Sequence, residues 1–283
     1  MNLLPYPDRR QFLGTCFAGG FGGLALGKGP LSGRIKIAVK YHMITDPTLS
    51  VIQKFELLRE IGFDGVELKT NEKVDIAEVE KAIDKTGIAV HGIVNAGSPE
   101  IAPALELAHR LGSESVLVFA GEKKELSYDD NFAFWQDTIR AVLPLAEKHN
   151  LTICIENVRA TFLKEAEEMA RFIDSFESPT VKSYFDLGNT ITWTEQSAQH
   201  WAQVLGKRIH KLDIKDRGHA VFGESSRRRE GAIGTNGGEV HWEKVRELLV
   251  ANDFSGWATA EVAGGDRAHL VAMAAWMRDV LDL

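Results

Sequence analysis

Short apolar runs rich in β-forming residues alternate with longer segments of helical hydrophobic spacing from Ile35 to the end of the chain. Eight of the runs fit strands: IKIAVKYHM, FDGVELK, IAVHGIVN, ESVLVFA, LTICIEN, KSYFDLG, RIHKLDIK and GWATAEV. Strands that alternate with amphipathic helices are typical of a parallel sheet with helical crossovers. Eight such units predict a closed (β/α)8 barrel, a TIM barrel of the α/β class, in a single domain.

The first helical segment has its own start and stop signals. Asp46 and Pro47 supply an N-cap and a first-turn proline, and Gly62 supplies a stop. The apolar face between them consists of residues at helical spacing: Val51, Phe55, Leu58 and Ile61. We therefore predict that the first helix begins just after Asp46.

Acidic residues stand near the ends of the last four predicted strands: Glu156, Asp186, Asp213 and Glu261. The carboxyl ends of all strands in a barrel meet at one rim, where four carboxylates would repel one another without a cation. We therefore predict that these residues are metal ligands. An all-oxygen shell favours Mg²⁺ or Mn²⁺ over Zn²⁺, which prefers imidazole or thiolate. A rim of acidic strand ends paired with lysines, without a metal, is the alternative left open.

The alternation of side chains along a strand selects the ligand on the seventh strand. Asp213 shares a face with Lys211 and Lys215, whereas His210 lies on the face expected to pack against the helices. Asp213 rather than His210 is therefore the predicted ligand. Other polar residues near the mouth are candidates for binding substrate: Lys40, Glu67, His91, Asn189 and Lys215. For Glu67 and His91 a structural role is left equally open.

The charge of the chain argues against large anionic partners. Its net charge is −7 over 283 residues, so no general attraction to nucleic acid or anionic lipid is expected. A small molecule is the expected partner, and a homo-oligomer is left open. Of the two cysteines, Cys154 has the parity of Glu156 and is expected to be a packed thiol inside the barrel.

Residues 1–33 differ from the rest of the chain and resemble a twin-arginine export signal and linker. Arg9 and Arg10 precede Phe12 and a short, glycine-rich apolar run with a small-residue cleavage site near Gly27. The barrel is then residues 34–283, and the protein is expected in the periplasm, touching the membrane only during export. A disordered tail on a cytoplasmic protein is the alternative.

One connection is unusually long. The segment DRGHAVFGESSRRREGAIGTNGGEV follows the seventh strand and is rich in glycine. Loops that follow strands build the active site of a barrel, and long ones are often lids. We predict a lid here, with a solvated irregular loop as the alternative.

Several short motifs occur in order at the strand ends: GFDGVEL, IEN, FDLGN, LDIKD, GGEVHW and AEV. Together they resemble the xylose isomerase-like barrel superfamily, from about Ile35 to Leu283. The resemblance implies that Glu156 and Glu261 are both metal ligands and acid/base groups and that Asp186 is a ligand. Asp213 departs from the histidine common on the seventh strand. Many epimerases of the family also have a histidine where this chain has Asn189.

The function that this resemblance implies is a metal-dependent sugar or keto-sugar isomerase/epimerase. Such an enzyme removes a proton alpha to a carbonyl and passes through an enediolate. A lyase or dehydratase on a keto-sugar or cyclitol could use the same metal site, and a non-catalytic sugar-binding barrel is also left open. The related abasic-site endonucleases hold several metals with many histidines, a set that this acidic chain lacks.

Overall fold

A computed structural model describes residues 29–96, 100–216 and 238–283. Eight parallel strands pair in chain order, and the last pairs with the first to close the barrel. The strands are β1 Ile35–Lys40, β2 Gly65–Lys69, β3 Ala89–Val94, β4 Ser115–Val118, β5 Thr152–Glu156, β6 Val181–Asp186, β7 Ile209–Ile214 and β8 Gly256–Ala260. Each overlaps one of the eight predicted runs, so the prediction of a single-domain (β/α)8 barrel is confirmed.

Helices fill the connections between the strands and pack around the barrel. They are α1 Val51–Ile61, α2 Ile76–Thr86, α3 Ala102–Arg110, α4 Tyr128–Lys148, α5 Ala166–Asp174, α6 Leu187–Trp193, α7 Ala198–Leu205, α8 Trp242–Ala251 and α9 Arg267–Leu281. Their apolar faces and the outward faces of the strands form one continuous core. Within the described parts of the chain, every helix falls short of the length and apolar character that a bilayer crossing requires.

The first helix starts later than the sequence predicts. Ser50 is its N-cap, with Oγ accepting from the Gln53 amide, and Gly62 ends it in the left-handed conformation at φ 92°. Asp46 instead accepts from the Thr48 amide at 2.9 Å and caps a separate turn. The predicted end of the helix at Gly62 is confirmed. The predicted start at Asp46 is wrong, because Ser50 and Gln53 together form a capping box, which a lone aspartate cannot form.

A small apolar cluster lies inside the barrel, apart from the core beneath the helices. It contains Val94, Leu117, Cys154 and Tyr184. The predicted inward position of Cys154 is therefore confirmed, and burial raises the pKa of its thiol to about 12. Such a thiol is protonated at neutral pH and acts as a packing group.

Two register shifts adjust which residues face one another. The pairing of β2 with β3 skips His91, and the pairing of β6 with β7 skips His210. Beyond the second shift, Asp186 pairs directly with Asp213. Bulges of this kind re-aim side chains near functional sites, and this one sets two acidic residues side by side.

Two predicted features lie outside the described residues. They are the export signal, with its cleavage site, and the central part of the long connection after β7. The ends of that connection are described and are joined by Asp216. Its carboxylate accepts from the Glu239 amide at 2.7 Å and from Trp242 Nε1 at 2.8 Å, which ties the end of β7 to the start of α8.

Candidate metal centre

Four carboxylates converge at the carboxyl-end rim of the barrel. Glu156 and Asp186 are the last residues of β5 and β6, Asp213 is the last but one of β7, and Glu261 directly follows β8. One oxygen from each lies within 4.8 Å of the others. The structure therefore brings together all four of the predicted ligands, and their roles as ligands and bases stay predictions.

The parallel register explains this convergence. Glu156 pairs with Tyr184, Asp186 pairs with Asp213, and Asp213 pairs with Thr259, two residues before Glu261. Because side chains alternate across each strand, the acidic residues all point into the barrel at nearly one level.

Two asparagines hold the ends of β5 and β6 in place. The backbone N–H of Asn189 donates to Asp186 Oδ1 at 2.9 Å, and the side-chain Nδ2 of Asn189 lies 3.3 Å from Glu156 Oε1. Asn157 exchanges hydrogen bonds of 2.8 Å with the backbone of Asp186. Asn189 therefore contacts two of the predicted metal ligands, and its predicted role in binding substrate stays a prediction. Sequence reasoning missed Asn157, although it stands in the IEN motif.

Lys215 lies across the top of the cluster. Its Nζ is 2.6 Å from both Asp186 Oδ2 and Glu261 Oε2. A Cβ at position 188 would overlap the aliphatic part of the Lys215 side chain, so only glycine leaves room for that side chain. Lys215 is a quarter exposed, at 25%, and is the cation of this site that a ligand entering from the mouth would meet first.

Lys40 approaches the cluster from within the barrel. Its Nζ is 3.0 Å from Asp213 Oδ2 and 3.0 Å from Glu261 Oε1. Glu67 Oε2 lies 3.6 Å from the same nitrogen. Because the surrounding carboxylates outweigh the cost of burial, the pKa of Lys40 is raised well above its ordinary value, and the side chain is a cation.

The electrostatics show an excess of negative charge. Burial raises the pKa of Glu156 to about 8, aided by the charge of Glu261. Burial likewise raises the pKa of Asp186 to about 6 and that of Asp213 well above its ordinary range, although lysines oppose both shifts. Burial also acts to raise the pKa of Glu261, but the adjacent Lys40 and Lys215 together hold it far below its usual value. With all four carboxylates ionised, the two lysines would leave two negative charges, and the raised pKa values of Glu156 and Asp213 show that these acids hold protons readily when no cation offsets that charge.

The donor set fits a divalent cation. All four donors are oxygens, and one divalent ion would balance the two remaining negative charges. Asp213 Oδ1 is buried and lacks a hydrogen-bond partner among the described residues, as expected of an oxygen kept for a metal. The cluster could therefore hold a metal ion.

A second polar layer lies beneath the carboxylates. Lys211 Nζ is 2.8 Å from His91 Nδ1, and His91 Nε2 is 3.2 Å from Thr259 Oγ1. Tyr184 donates its hydroxyl hydrogen to the same oxygen of Thr259 at 2.9 Å. Burial and the charge of Lys211 lower the pKa of His91 well below its ordinary value. The ring is therefore neutral, with its proton on Nε2, because Nδ1 accepts from the lysine.

This layer bears on two of the predicted substrate-binding residues. Glu67 and His91 are only 2% and 1% exposed, so both are buried inside the barrel rather than open to solvent at the mouth. Their placement favours the structural role that was left open for them, and a role in binding substrate stays a prediction. Lys211 was noted only for its parity with Asp213, and sequence reasoning did not assign it to the site.

Comparisons with solved structures show the same fold in sugar-converting enzymes and beyond. The 3-keto-D-glucoside 4-epimerase YcjR from E. coli is 18% identical, with 87% of this chain and 99% of that one covered and a TM-score of 0.68. A D-allulose 3-epimerase from Methylomonas sp. is 15% identical, with coverages of 88% and 98% and a TM-score of 0.69. An AP endonuclease, family 2, from Brucella melitensis is 14% identical, with coverages of 86% and 98% and a TM-score of 0.67.

The sequence comparisons identify the family. No curated protein sequence matched the chain. The family model described as xylose isomerase-like TIM barrel matches residues 55–280, well over half of the 283 residues. The chain therefore belongs to the xylose isomerase-like TIM barrel family.

Proposed function

We propose that the protein is a metal-dependent sugar or keto-sugar isomerase/epimerase. It would remove a proton alpha to a carbonyl and pass through an enediolate. The observation that carries this proposal is the convergence of four carboxylates at the mouth of the barrel, within 4.8 Å of one another. The similarity to a keto-glucoside epimerase and a ketose epimerase in fold supports the choice of substrate class.

The proposed cofactor is Mg²⁺ or Mn²⁺ rather than Zn²⁺, because all four donors are carboxylates. Glu156, Asp186, Asp213 and Glu261 would hold it. A bound divalent cation supplies Lewis-acid polarisation of a substrate carbonyl, which makes the adjacent C–H bond more acidic.

Glu156 and Glu261 are the proposed proton-transfer groups. They come from β5 and β8, which are separated by two strands, so the two carboxylates approach the mouth from different sides. One carboxylate would take the proton from the substrate carbon, and the other would return a proton to the opposite face of that carbon, which gives epimerisation. Return to the neighbouring carbon gives isomerisation.

The two glutamates are held in different ways. Glu156 is 5% exposed and contacts Asn189, which restricts its movement. The side chain of Glu261 is 30% exposed, just after the end of β8. A fixed base beside a more accessible one is suited to transfer between two faces of a bound sugar.

We also propose an exported protein that acts on free sugars or glycosides. The arginine pair and the short apolar run in residues 1–33 support this location. The partner would be a small carbohydrate, and contact with the membrane would occur only during export.

Solvent exchange followed by NMR tests the proposal. The full chain, reconstituted with Mn²⁺ or Mg²⁺, is incubated in D₂O with a panel of keto-sugars and 3-keto-glycosides. We expect deuterium at a carbon alpha to the carbonyl, and we expect Glu156→Gln and Glu261→Gln to abolish its incorporation. Glu243→Gln, on the exposed face of α8, is the matched control and should retain full exchange.

The other outcomes separate the competing functions. Elimination products would show that the protein is a lyase or dehydratase that uses the same carboxylates, rather than an isomerase/epimerase. Sugar binding that survives metal removal, without any deuterium incorporation, would indicate a non-catalytic barrel. Full exchange in both glutamine variants would show that the proton-transfer groups have been assigned wrongly.

A further inference from the structure

We propose that Lys40 is a resident counter-cation of the metal centre and that its pairing with Asp213 sets which cations the centre accepts. Lys40 is a positioning residue in this proposal, since it acts through a ligand of the metal, and its predicted role in binding substrate stays a prediction. The inference rests on the proposed metal-dependent function and adds the control of metal selectivity to it.

Because Lys40 and Asp213 are both buried, the charge of each requires the opposite charge of the other beside it. The Lys40 side chain is 3% exposed and that of Asp213 is fully buried, so water cannot solvate either charge. Their atoms Nζ and Oδ2 are 3.0 Å apart. An uncompensated charge at such depth costs several kcal/mol, so each residue stabilises the ionised form of the other.

The two oxygens of Asp213 have different surroundings. Oδ2 accepts from Lys40, whereas Oδ1 is buried without a hydrogen-bond partner among the described residues. The pair therefore leaves one carboxylate oxygen for a metal, and its two charges sum to zero, as for a single neutral ligand such as imidazole. Glu261 shares the same lysine at 3.0 Å, so the balance belongs to the centre as a whole.

Contacts on several sides hold Lys40 in this place. Glu67 Oε2 lies 3.6 Å from its nitrogen, and Glu261 Oε1 lies 3.0 Å from it. The ring centroid of Tyr184 is 5.5 Å away. Lys215 differs because its side chain is a quarter exposed and reaches the centre from the mouth.

The charge of the centre follows from these pairs. With all four carboxylates ionised, as ligands of a cation would be, they and the cations Lys40 and Lys215 sum to two net negative charges. Removing the charge of Asp213 alone leaves one net negative charge, and removing that of Lys40 alone leaves three. Removing both charges restores two net negative charges, with a neutral ligand in place of a buried ion pair.

Titration of Mn²⁺, followed by the EPR signal of the free ion, tests the inference in the full chain, and competition with Zn²⁺ measures selectivity. We expect Asp213→His to weaken Mn²⁺ binding about tenfold or more and Lys40→Met to leave it at least as tight. The double variant should return to within about threefold of the original affinity. It should also raise the preference for Zn²⁺ over Mn²⁺ about tenfold, because imidazole favours zinc.

Control variants separate charge from packing. Lys36→Met makes the same substitution on the same strand, but Lys36 lies against Trp257, and Mn²⁺ affinity should be unchanged. Lys40→Arg combined with Asp213→His keeps the cation and should not recover binding. Circular dichroism checks folding, and Lys40→Gln replaces Lys40→Met if the methionine variant fails to fold.

Two outcomes of the Mn²⁺ titration distinguish failure of the inference about Lys40 from failure of the proposed function. If the double variant binds Mn²⁺ no more tightly than Asp213→His alone, Lys40 is not a compensating cation and the inference is wrong. If the unaltered protein binds neither Mn²⁺ nor Mg²⁺, the metal-dependent function itself fails.

Discussion

The buried Lys211 offers the sharpest test of the polar layer beneath the metal centre. Its side chain is fully buried and donates to the carbonyl oxygen of His91 at 2.5 Å as well as to the ring at Nδ1. Lys211→Met removes this cation and leaves His91 Nδ1 without its donor, while the His91 carbonyl still accepts from the Glu114 amide at 3.1 Å. It also removes a positive charge that acts on Glu67, whose carboxylate oxygens have no hydrogen bond among the described residues.

The expected cost follows from breaking a buried charge network. We expect Lys211→Met to lower the free energy of unfolding by about 1.5–3 kcal/mol, the range for the loss of hydrogen bonds made by a charged group. Adding Glu67→Gln removes the negative charge left behind, so the double variant should lose less than the sum of the two single variants.

Urea unfolding followed by far-ultraviolet circular dichroism measures these free energies. Lys36→Met is the matched control, because Lys36 is an exposed lysine on β1, and its loss should change the free energy of unfolding by about 0.5 kcal/mol or less. A cost below about 1 kcal/mol for Lys211→Met would refute the reasoning, as would strict additivity with Glu67→Gln.

Three further predictions concern the rim. Gly188→Ala should lower the free energy of unfolding by about 1–3 kcal/mol in urea titrations, because its methyl group would overlap the stem of Lys215. An unchanged or higher value would show that the lysine can pass elsewhere. Mn²⁺ at a hundred times its dissociation constant should stabilise chelator-treated protein by about 2.7 kcal/mol in thermal unfolding, and no shift with Mn²⁺ or Mg²⁺ would contradict a metal site. Asp216→Ala should lower the free energy of unfolding by about 1–3 kcal/mol, because it removes the hydrogen bonds that Asp216 accepts from Trp242 Nε1 and from the Glu239 and Val240 amides; a loss no larger than that of an exposed aspartate such as Asp84 would contradict this role.

Much of the fold and part of the site were determined by local sequence. The eight strands could be predicted because each is a short β-rich run between helical segments, and that pattern requires no knowledge of distant residues. The carboxylates at the strand ends could be grouped because parallel strands in a barrel share one rim. Strand parity was enough to choose Asp213 over His210, since it depends only on the spacing along β7.

Tertiary structure alone decided how the charges are arranged. Lys40 and Asp213 are 173 positions apart, and the sequence showed only that each could face the interior. Which carboxylate a lysine contacts depends on side-chain conformation and on the register of eight strands, including the bulges at His91 and His210. Likewise, the burial of Lys211 against His91 depends on groups brought together across the barrel. Local patterns specify the face on which a residue lies, whereas the energy of a buried charge depends on every group around it, and closing the barrel sets those positions.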